Sequence, residues 1–207
     1  MRVTSRSVAC AMLLFAVPAC DAAPRGIAPW SRTPTEGEVN LVTPREPGGR
    51  FVIEGRVLGA GDSAMAGLTL YVYHVDRNGD YAPKDDPNGY VRIAGVLRTD
   101  AKGRYRVRSI LPGQYEGPPH IHFEAWGPGL PARAWAVNLY MAPSEKPDRA
   151  WGHMAAVRRS AMDPARTETF VTRDERGVFH AHYDLVWSRG FAMPAHFDSL
   201  RRGLIDS

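Results

Sequence analysis

From Phe51 onward the chain alternates short apolar segments with turn sequences, and this pattern most limits the folds available to it. Three segments have the composition of β-strands: residues 51–58, 68–75 and 103–108. Turn sequences separate them at Asp76-Arg-Asn-Gly79 and at Thr99-Asp-Ala-Lys-Gly103. The 20 glycines and 17 prolines in 207 residues argue against a long-helix bundle. The sequence therefore predicts an all-β fold.

Later segments extend the same pattern. Further strands are predicted over residues 120–126, 134–140 and 178–187. Helical character is confined to residues 145–160 and 195–204, and no internal repeat is present. Together these features predict an antiparallel β-sandwich with long loops and little helix.

The first 19 residues have the features of a secretory signal. Arg2 and Arg6 precede an apolar run over residues 8–17, which is too short to span a bilayer. Residues 17–20 (Val-Pro-Ala-Cys) resemble a bacterial lipobox, in which the cysteine is lipidated, and ordinary signal cleavage is the alternative. Either route predicts an exported protein, periplasmic or membrane-anchored. It would touch the membrane only through a lipid on Cys20, if that cysteine is lipidated.

Charge and cysteine content limit the possible binding partners and disulfides. The net charge is +4, Arg2 and Arg6 leave with the signal, and no Lys/Arg block indicates a nucleic-acid partner. Cys10 lies in the signal and Cys20 is then alone, so no intrachain disulfide is expected. The predicted organisation is a signal (1–19), a tether rich in Pro, Gly and charge (20–50), a β-sandwich (51–187) and a C-terminal tail (188–207).

His120 and His122 are candidate metal ligands. Alternate residues of a strand share a face, so both imidazoles would point the same way while Ile121 and Phe123 face the core. A His-x-His sequence alone is more often a surface strand than a ligand pair. A cupin would need a further glutamate four or five residues past the pair, and Glu124 comes too soon.

Four motifs between residues 71 and 126 occur in the order found in the intradiol ring-cleavage dioxygenases, the family of catechol and protocatechuate dioxygenases. The motifs are Asp76-Arg-Asn-Gly-Asp-Tyr81, Thr99-Asp-Ala-Lys-Gly-Arg-Tyr105, Leu111-Pro-Gly-Gln-Tyr115 and His120-Ile-His-Phe123. Residues 137–140 and 179–186 are similar to later strands of that family. The chain therefore resembles a divergent, exported member of this family over residues 51–187.

The resemblance implies a non-haem Fe(III) site whose ligands are Tyr81, Tyr115, His120 and His122. Ferric iron is a hard Lewis acid that keeps phenolates deprotonated far below their usual pKa of about 10. In such enzymes the second tyrosine, here Tyr115, leaves the metal as a catechol binds through both oxygens, and it helps to accept the catechol protons. The implied reactants are a catechol-type small aromatic and O2, and the ring opens between its two oxygenated carbons.

One feature departs from the family. Characterised members carry an arginine shortly before the first histidine, whereas residues 115–120 (Tyr-Glu-Gly-Pro-Pro-His) contain none. Arg133, which follows the histidine strand, is the candidate replacement, so Tyr115 and Arg133 are the predicted catalytic residues. Two function classes remain open: an active dioxygenase, or a metal- or ligand-binding β-sandwich module that has lost turnover.

Several other polar residues are predicted to be structural. Tyr105 is assigned to the core and Asp100 to a turn. The remaining side chains are expected to face solvent: Arg104, Arg106, Arg108, His180 and His182.

Overall fold

The strands of the computed structural model account for about half of the residues it describes, which are 33–83, 90–115, 117–146 and 167–194. The strands are β1 Thr35–Glu36, β2 Glu38–Asn40, β3 Arg50–Leu58, β4 Thr69–His74, β5 Ile93–Arg98, β6 Arg104–Ile110, β7 His120–Gly127, β8 Leu130–Met141, β9 Glu168–Arg173, β10 Phe179–His182, β11 Leu185–Val186 and β12 Phe191–Ala192. Helix is limited there to two short 3-10 turns, Ala60–Asp62 and Trp187–Arg189. The predicted β-sandwich class is confirmed. In these ranges no helix has the length and apolar character needed to cross a membrane.

The strands pair in the order β1-β5-β4-β7-β8-β9-β10-β3-β6-β2, with β11 added to β3 and β12 to β8. The pairs β5–β4, β4–β7, β7–β8, β9–β10 and β3–β6 are antiparallel. The pairs β1–β5, β8–β9, β10–β3 and β2–β6 are parallel. The two ends of this order meet, because β1 and β2 are consecutive in the chain.

Gly37 makes the link between those two ends. Its N–H donates to the Arg98 carbonyl of β5, and its own carbonyl accepts from the Arg106 N–H of β6, each over 2.8 Å. The described sheet is therefore nearly closed, and one short segment joins its two layers.

Residues 33–50, which fall in the predicted tether, instead belong to the folded body. Val39 and Leu41 are buried in the core. A Cβ at Gly95 of β5 would lie 2.8 Å from the Leu41 side chain and 2.9 Å from that of Val39, so the missing side chain makes room for them. Residues 1–32, with the predicted signal and Cys20, lie outside the described residues.

The main core lies between the two layers, and a smaller apolar cluster covers the other face of β4, β5, β7 and β8. Fully buried residues of the main core include Ile53, Leu70, Val72, Ile121, Phe123, Val137 and Phe179. The smaller cluster consists of Tyr71, Val91, Ala94, Val96, Trp126 and Ala132, with Tyr73, Tyr81 and Met193 packed against it.

Two strands and the helices differ from expectation. Residues 93–97 of β5 are buried on both faces, so that strand lacks the alternation by which strands are recognised. β9 is also additional, with the polar sequence Glu-Thr-Phe-Val-Thr-Arg. Residues 145 and 146 are not helical, and the rest of the two predicted helices lies outside the described residues. The described part of the predicted tail adds β12 to β8.

Candidate metal centre

The histidine strand has the predicted alternation. Ile121 and Phe123 are fully buried in the main core, while His120 and His122 project from the opposite face of β7. Antiparallel pairing sets Tyr73 of β4 opposite His122. The two histidines therefore lie on the face that carries the smaller apolar cluster.

A turn after β4 presents Tyr81 to this face. The Asp76 carboxylate accepts hydrogen bonds from the N–H groups of Asn78 and Asp80, at 2.8 and 3.1 Å. The Gly79 N–H closes the turn on the Asp76 carbonyl. This local pattern is the one expected of an Asp at the start of a turn, and it sets where Tyr81 leaves the turn.

The loop that carries Tyr115 packs directly against this turn. The Gly113 N–H donates to the Asp76 carbonyl over 2.9 Å. A Cβ at Gly79 would lie 2.5 Å from the Gln114 carbonyl oxygen, and a Cβ at Gly113 would lie 2.6 Å from the Arg77 carbonyl oxygen. Glycine at both positions therefore lets the two tyrosine-bearing loops approach backbone to backbone.

Arg92 fastens the Tyr81 turn to the body of the domain. Its guanidinium makes a two-pronged contact with the Glu46 carboxylate, at 2.6 and 2.9 Å, and a further bond to Asp76 at 3.2 Å. Its backbone N–H donates to the Tyr81 carbonyl. The bond to Glu46 raises the pKa of Arg92 above its usual value. Arg92 thus joins three separate segments and was not singled out from the sequence.

The four predicted ligands converge. The Tyr81 hydroxyl lies 2.9 Å from Nε2 of His122. The rings of Tyr81 and Tyr115 are 5.4 Å apart in an edge-on arrangement, and those of His120 and His122 are 4.8 Å apart. The structure therefore brings together Tyr81, Tyr115, His120 and His122.

Both imidazoles are placed to offer a ring nitrogen to a metal. Nδ1 of His120 donates to the Pro118 carbonyl over 2.9 Å, which leaves the Nε2 lone pair available. Burial, followed by the nearby His120 and His74, lowers the pKa of His122 to about 3. His74, buried below the site, also has its pKa lowered, to about 4, mainly by burial. His122 is therefore neutral at ordinary pH, as metal binding requires.

The donor set fits a first-row metal ion. The Tyr81 hydroxyl and His122 Nε2 are within hydrogen-bond distance, at 2.9 Å, so these two donor atoms already face each other across a short gap. In the described ranges no group of three or more His, Cys, Asp or Glu could hold a metal. The candidate set differs from such groups because two of its four members are tyrosines, whose hard phenolate oxygens suit a high-valent ion.

Two residues missed by the sequence reasoning adjoin His122. The Tyr73 ring stacks on the His122 imidazole, with centroids 4.7 Å apart and planes 9° from parallel. The Tyr73 hydroxyl donates to a carboxylate oxygen of Glu124 over 3.2 Å. Glu124 lies two residues after His122 on the same strand, so period-two alternation could have placed it on the histidine face.

Arg133 is not brought to the site, contrary to prediction. Its pairing partner on β7 is Ala125, which belongs to the main-core face together with Ile121 and Phe123. The guanidinium donates to the Gly190 carbonyl over 3.3 Å. The β8 positions opposite the two histidines and Glu124 are instead 138, 136 and 134. Arg133 therefore lies on the wrong face of the sheet to replace the family's arginine.

The residues predicted to be structural lie where expected. Tyr105 is buried and donates to the Tyr183 carbonyl over 2.6 Å. Asp100 accepts hydrogen bonds from two backbone N–H groups of its turn. The remaining side chains are exposed or partly exposed and contact carboxylates: Arg104, Arg106, Arg108, His180 and His182.

Comparison with known proteins shows which family the chain resembles. A family model described as "Dioxygenase" matches residues 31–128, which include all four converging side chains. Catechol 1,2-dioxygenase 2 of Acinetobacter lwoffii is 26% identical over 161 residues, which cover 69% of this chain and 57% of that protein. The chain belongs to the intradiol dioxygenase family. The protocatechuate 3,4-dioxygenase beta chain of Burkholderia cepacia is 36% identical over 104 residues, 42% of this chain and 43% of that protein.

A solved structure agrees with the intradiol dioxygenase assignment. The dioxygenase domain of a dioxygenase and carbohydrate-binding protein fusion from Streptomyces sp. SirexAA-E superposes with a TM-score of 0.53 and 25% identity. That match covers 73% of this chain and 88% of the domain. The chain spans about half the length of the curated relatives it matches.

Proposed function

We propose that this intradiol dioxygenase family member is a non-haem Fe(III) enzyme that cleaves a catechol-type aromatic ring with O2. The observation that carries the proposal is the convergence of two tyrosines and two histidines from three separate segments. Tyr81 comes from a turn held by Asp76, Tyr115 from the loop packed on that turn, and the histidines from β7.

Tyr81, Tyr115, His120 and His122 would hold the iron. When bound, ferric iron would supply Lewis acidity, which lowers the pKa of phenol and catechol hydroxyls and prepares a catecholate bound through both oxygens for O2. The histidines contribute neutral nitrogen donors. The tyrosines contribute anionic oxygen donors, which favour the ferric state.

The two tyrosines have different parts in this scheme. The Tyr81 hydroxyl is already directed at His122, and its turn is fastened through Asp76 and Arg92. The Tyr115 ring packs edge-on against the Tyr81 ring. We assign Tyr115 as the ligand that gives way to substrate, with its phenolate oxygen taking a proton from one catechol hydroxyl.

A binding module without turnover is the second candidate. The positions of the described arginines favour it. Residues 117–120 contain no arginine, and Arg133 faces the other side of the sheet. Arg92 is engaged by Glu46 and Asp76. A preorganised donor at a developing negative charge is worth on the order of 10²–10³ in rate, so its lack would slow turnover without removing the metal ligands.

Oxygen uptake separates the two candidates. The purified protein, loaded with iron, is screened against catechol, protocatechuate and hydroxyquinol with an oxygen electrode and product analysis. The proposal predicts substrate-dependent O2 consumption with a ring-opened product for at least one catechol. Spectral changes on catechol binding without any O2 consumption would support the binding module instead.

A further inference from the structure

Glu124 is a buried carboxylate that the proposed chemistry does not use. It is 5% exposed and lies on the face of β7 that also carries His122 and Trp126. Removing a carboxylate from water costs several kcal/mol unless good partners compensate. A carboxylate at this buried position therefore needs polar partners, and the Tyr73 hydroxyl is one of them.

One contact of Glu124 connects it to a proposed metal ligand, His122. Its carboxylate accepts the hydroxyl of Tyr73, and the Tyr73 ring lies flat against the imidazole of His122. Strand pairing explains this arrangement, because Tyr73 is directly opposite His122 while Glu124 is opposite Tyr71. Tyr73 thus contacts His122 across the strands and Glu124 on the diagonal.

The two histidines are held by different means. His120 is oriented by its Nδ1 bond to the Pro118 carbonyl, the arrangement usual for metal-bound histidines. For His122, the described contacts include the stacked Tyr73 ring on its face, the edge-on His120 ring and the Tyr81 hydroxyl at Nε2. The stacked ring restricts rotation of the imidazole about its bond to Cβ, and Glu124 restricts the stacked ring.

We propose that Tyr73 and Glu124 are positioning residues that hold the His122 imidazole with Nε2 directed at the Tyr81 hydroxyl, where the metal binds. The role rests on the proposed function, because it takes His122 as an iron ligand. Tyr73 is itself no ligand in this scheme, since its hydroxyl is committed to Glu124.

Two substitutions test the pair. Tyr73→Phe keeps the stacked ring and removes the hydroxyl that Glu124 holds. Glu124→Met keeps a similar volume and removes the buried carboxylate. Each is expected to weaken Fe(III) affinity by about 10–100-fold, the usual cost of removing a partner that orients a ligand. Affinity is measured by chelator competition, together with the tyrosinate-to-iron absorption band.

The matched control is Tyr105→Phe. It also removes a tyrosine hydroxyl that donates a hydrogen bond, but Tyr105 packs against Phe123 on the opposite face of β7. We expect this control to lose stability and to keep the parent's iron affinity and absorption band. Tyr73→Phe and Glu124→Met are each expected to bind iron more weakly than the parent and than this control.

A metal-free readout separates this inference from the proposed function. Nitrogen-15 NMR of the apoprotein is expected to show His122 in one tautomer, with Nδ1 protonated and Nε2 accepting from Tyr81, and to show tautomer averaging in both variants. If the parent takes up no ferric ion, the proposed function fails while the NMR comparison still decides the positioning role. An unchanged His122 tautomer in both variants, or an affinity loss equal to that of Tyr105→Phe, would overturn the inference.

Discussion

Replacing Gly79 by alanine tests whether the close packing of the two tyrosine-bearing loops forms the metal site. Gly79 has a positive φ of +90°, and a Cβ there would lie 2.5 Å from the Gln114 carbonyl oxygen. Backbone cannot move aside as a flexible side chain can. We therefore expect Gly79→Ala to push the Tyr115 loop away from Tyr81.

A second turn supplies a closely matched control. Gly177 has φ +80°, and its N–H bonds the Asp174 carbonyl as that of Gly79 bonds Asp76. Asp174, like Asp76, also caps its turn with its carboxylate. A Cβ at Gly177 meets no described heavy atom within 4 Å. Gly177→Ala therefore reports the backbone strain alone.

The expected free energies of unfolding follow from this difference. Alanine at positive φ costs about 1–2 kcal/mol. Forcing an extra methyl group into a filled space costs about 1–3 kcal/mol more. Gly177→Ala is therefore expected to lose about 1–2 kcal/mol, and Gly79→Ala about 2–5 kcal/mol when both costs apply.

Urea unfolding and ferric titration measure the two effects. We expect Gly79→Ala to lose the tyrosinate-to-iron absorption or shift it, while Gly177→Ala binds iron as the parent does. Equal stability losses in the two variants, with identical ferric spectra, would refute the reasoning that contact between the loops builds the site.

Four further predictions concern the tyrosine ligands, Arg133, His74 and the N-terminus. The double variant Tyr81→Phe/Tyr115→Phe is expected to lose both bound iron and its reddish-brown colour, as read by element analysis and absorption; retention of both would contradict the ligand assignment. Arg133→Ala is expected to leave catechol turnover unchanged because Arg133 faces away from the histidines, and a large kinetic effect would show that it reaches the pocket. Because the pKa of His74 falls from 6.5 to about 4 on folding, protonation favours the unfolded chain, and His74 is expected to contribute about 3 kcal/mol to a drop in apoprotein stability between pH 6.5 and 4, to which the lowered pKa of His122 adds. A series of urea unfolding curves tests this drop, which is expected to shrink in His74→Gln. Mass spectrometry of the mature N-terminus is expected to find a lipidated Cys20; an unmodified cysteine would refute the lipid, and an intact Met1 would refute export.

Local sequence patterns were enough to predict much of the site. The alternation around Ile121 predicted correctly that both histidines share a face, because a period of two is a property of one strand alone. The turn motif containing Asp76 likewise predicted where Tyr81 begins its loop. These features depend on neighbours within a few residues, which a single sequence displays directly.

Features that depend on strand pairing could not be predicted from the sequence alone. The side of the sheet on which Arg133 lies follows from the register that pairs it with Ala125 of β7. The link made by Arg92 joins residues 46 and 76, which are far apart in the sequence. The Tyr73 contact with His122 likewise requires the register of β4 against β7. Burial on both faces removed the alternation that would have revealed β5.

The most direct test of the central claim is the fate of labelled oxygen in the reaction product. The iron-loaded protein is mixed with a catechol under ¹⁸O2, and the product is analysed by mass spectrometry. An intradiol dioxygenase with Tyr81, Tyr115, His120 and His122 as ligands is expected to give a ring-opened dicarboxylic acid that contains both atoms of one labelled O2. Unreacted catechol after mixing with protein that holds iron and shows the tyrosinate colour would contradict the proposed activity.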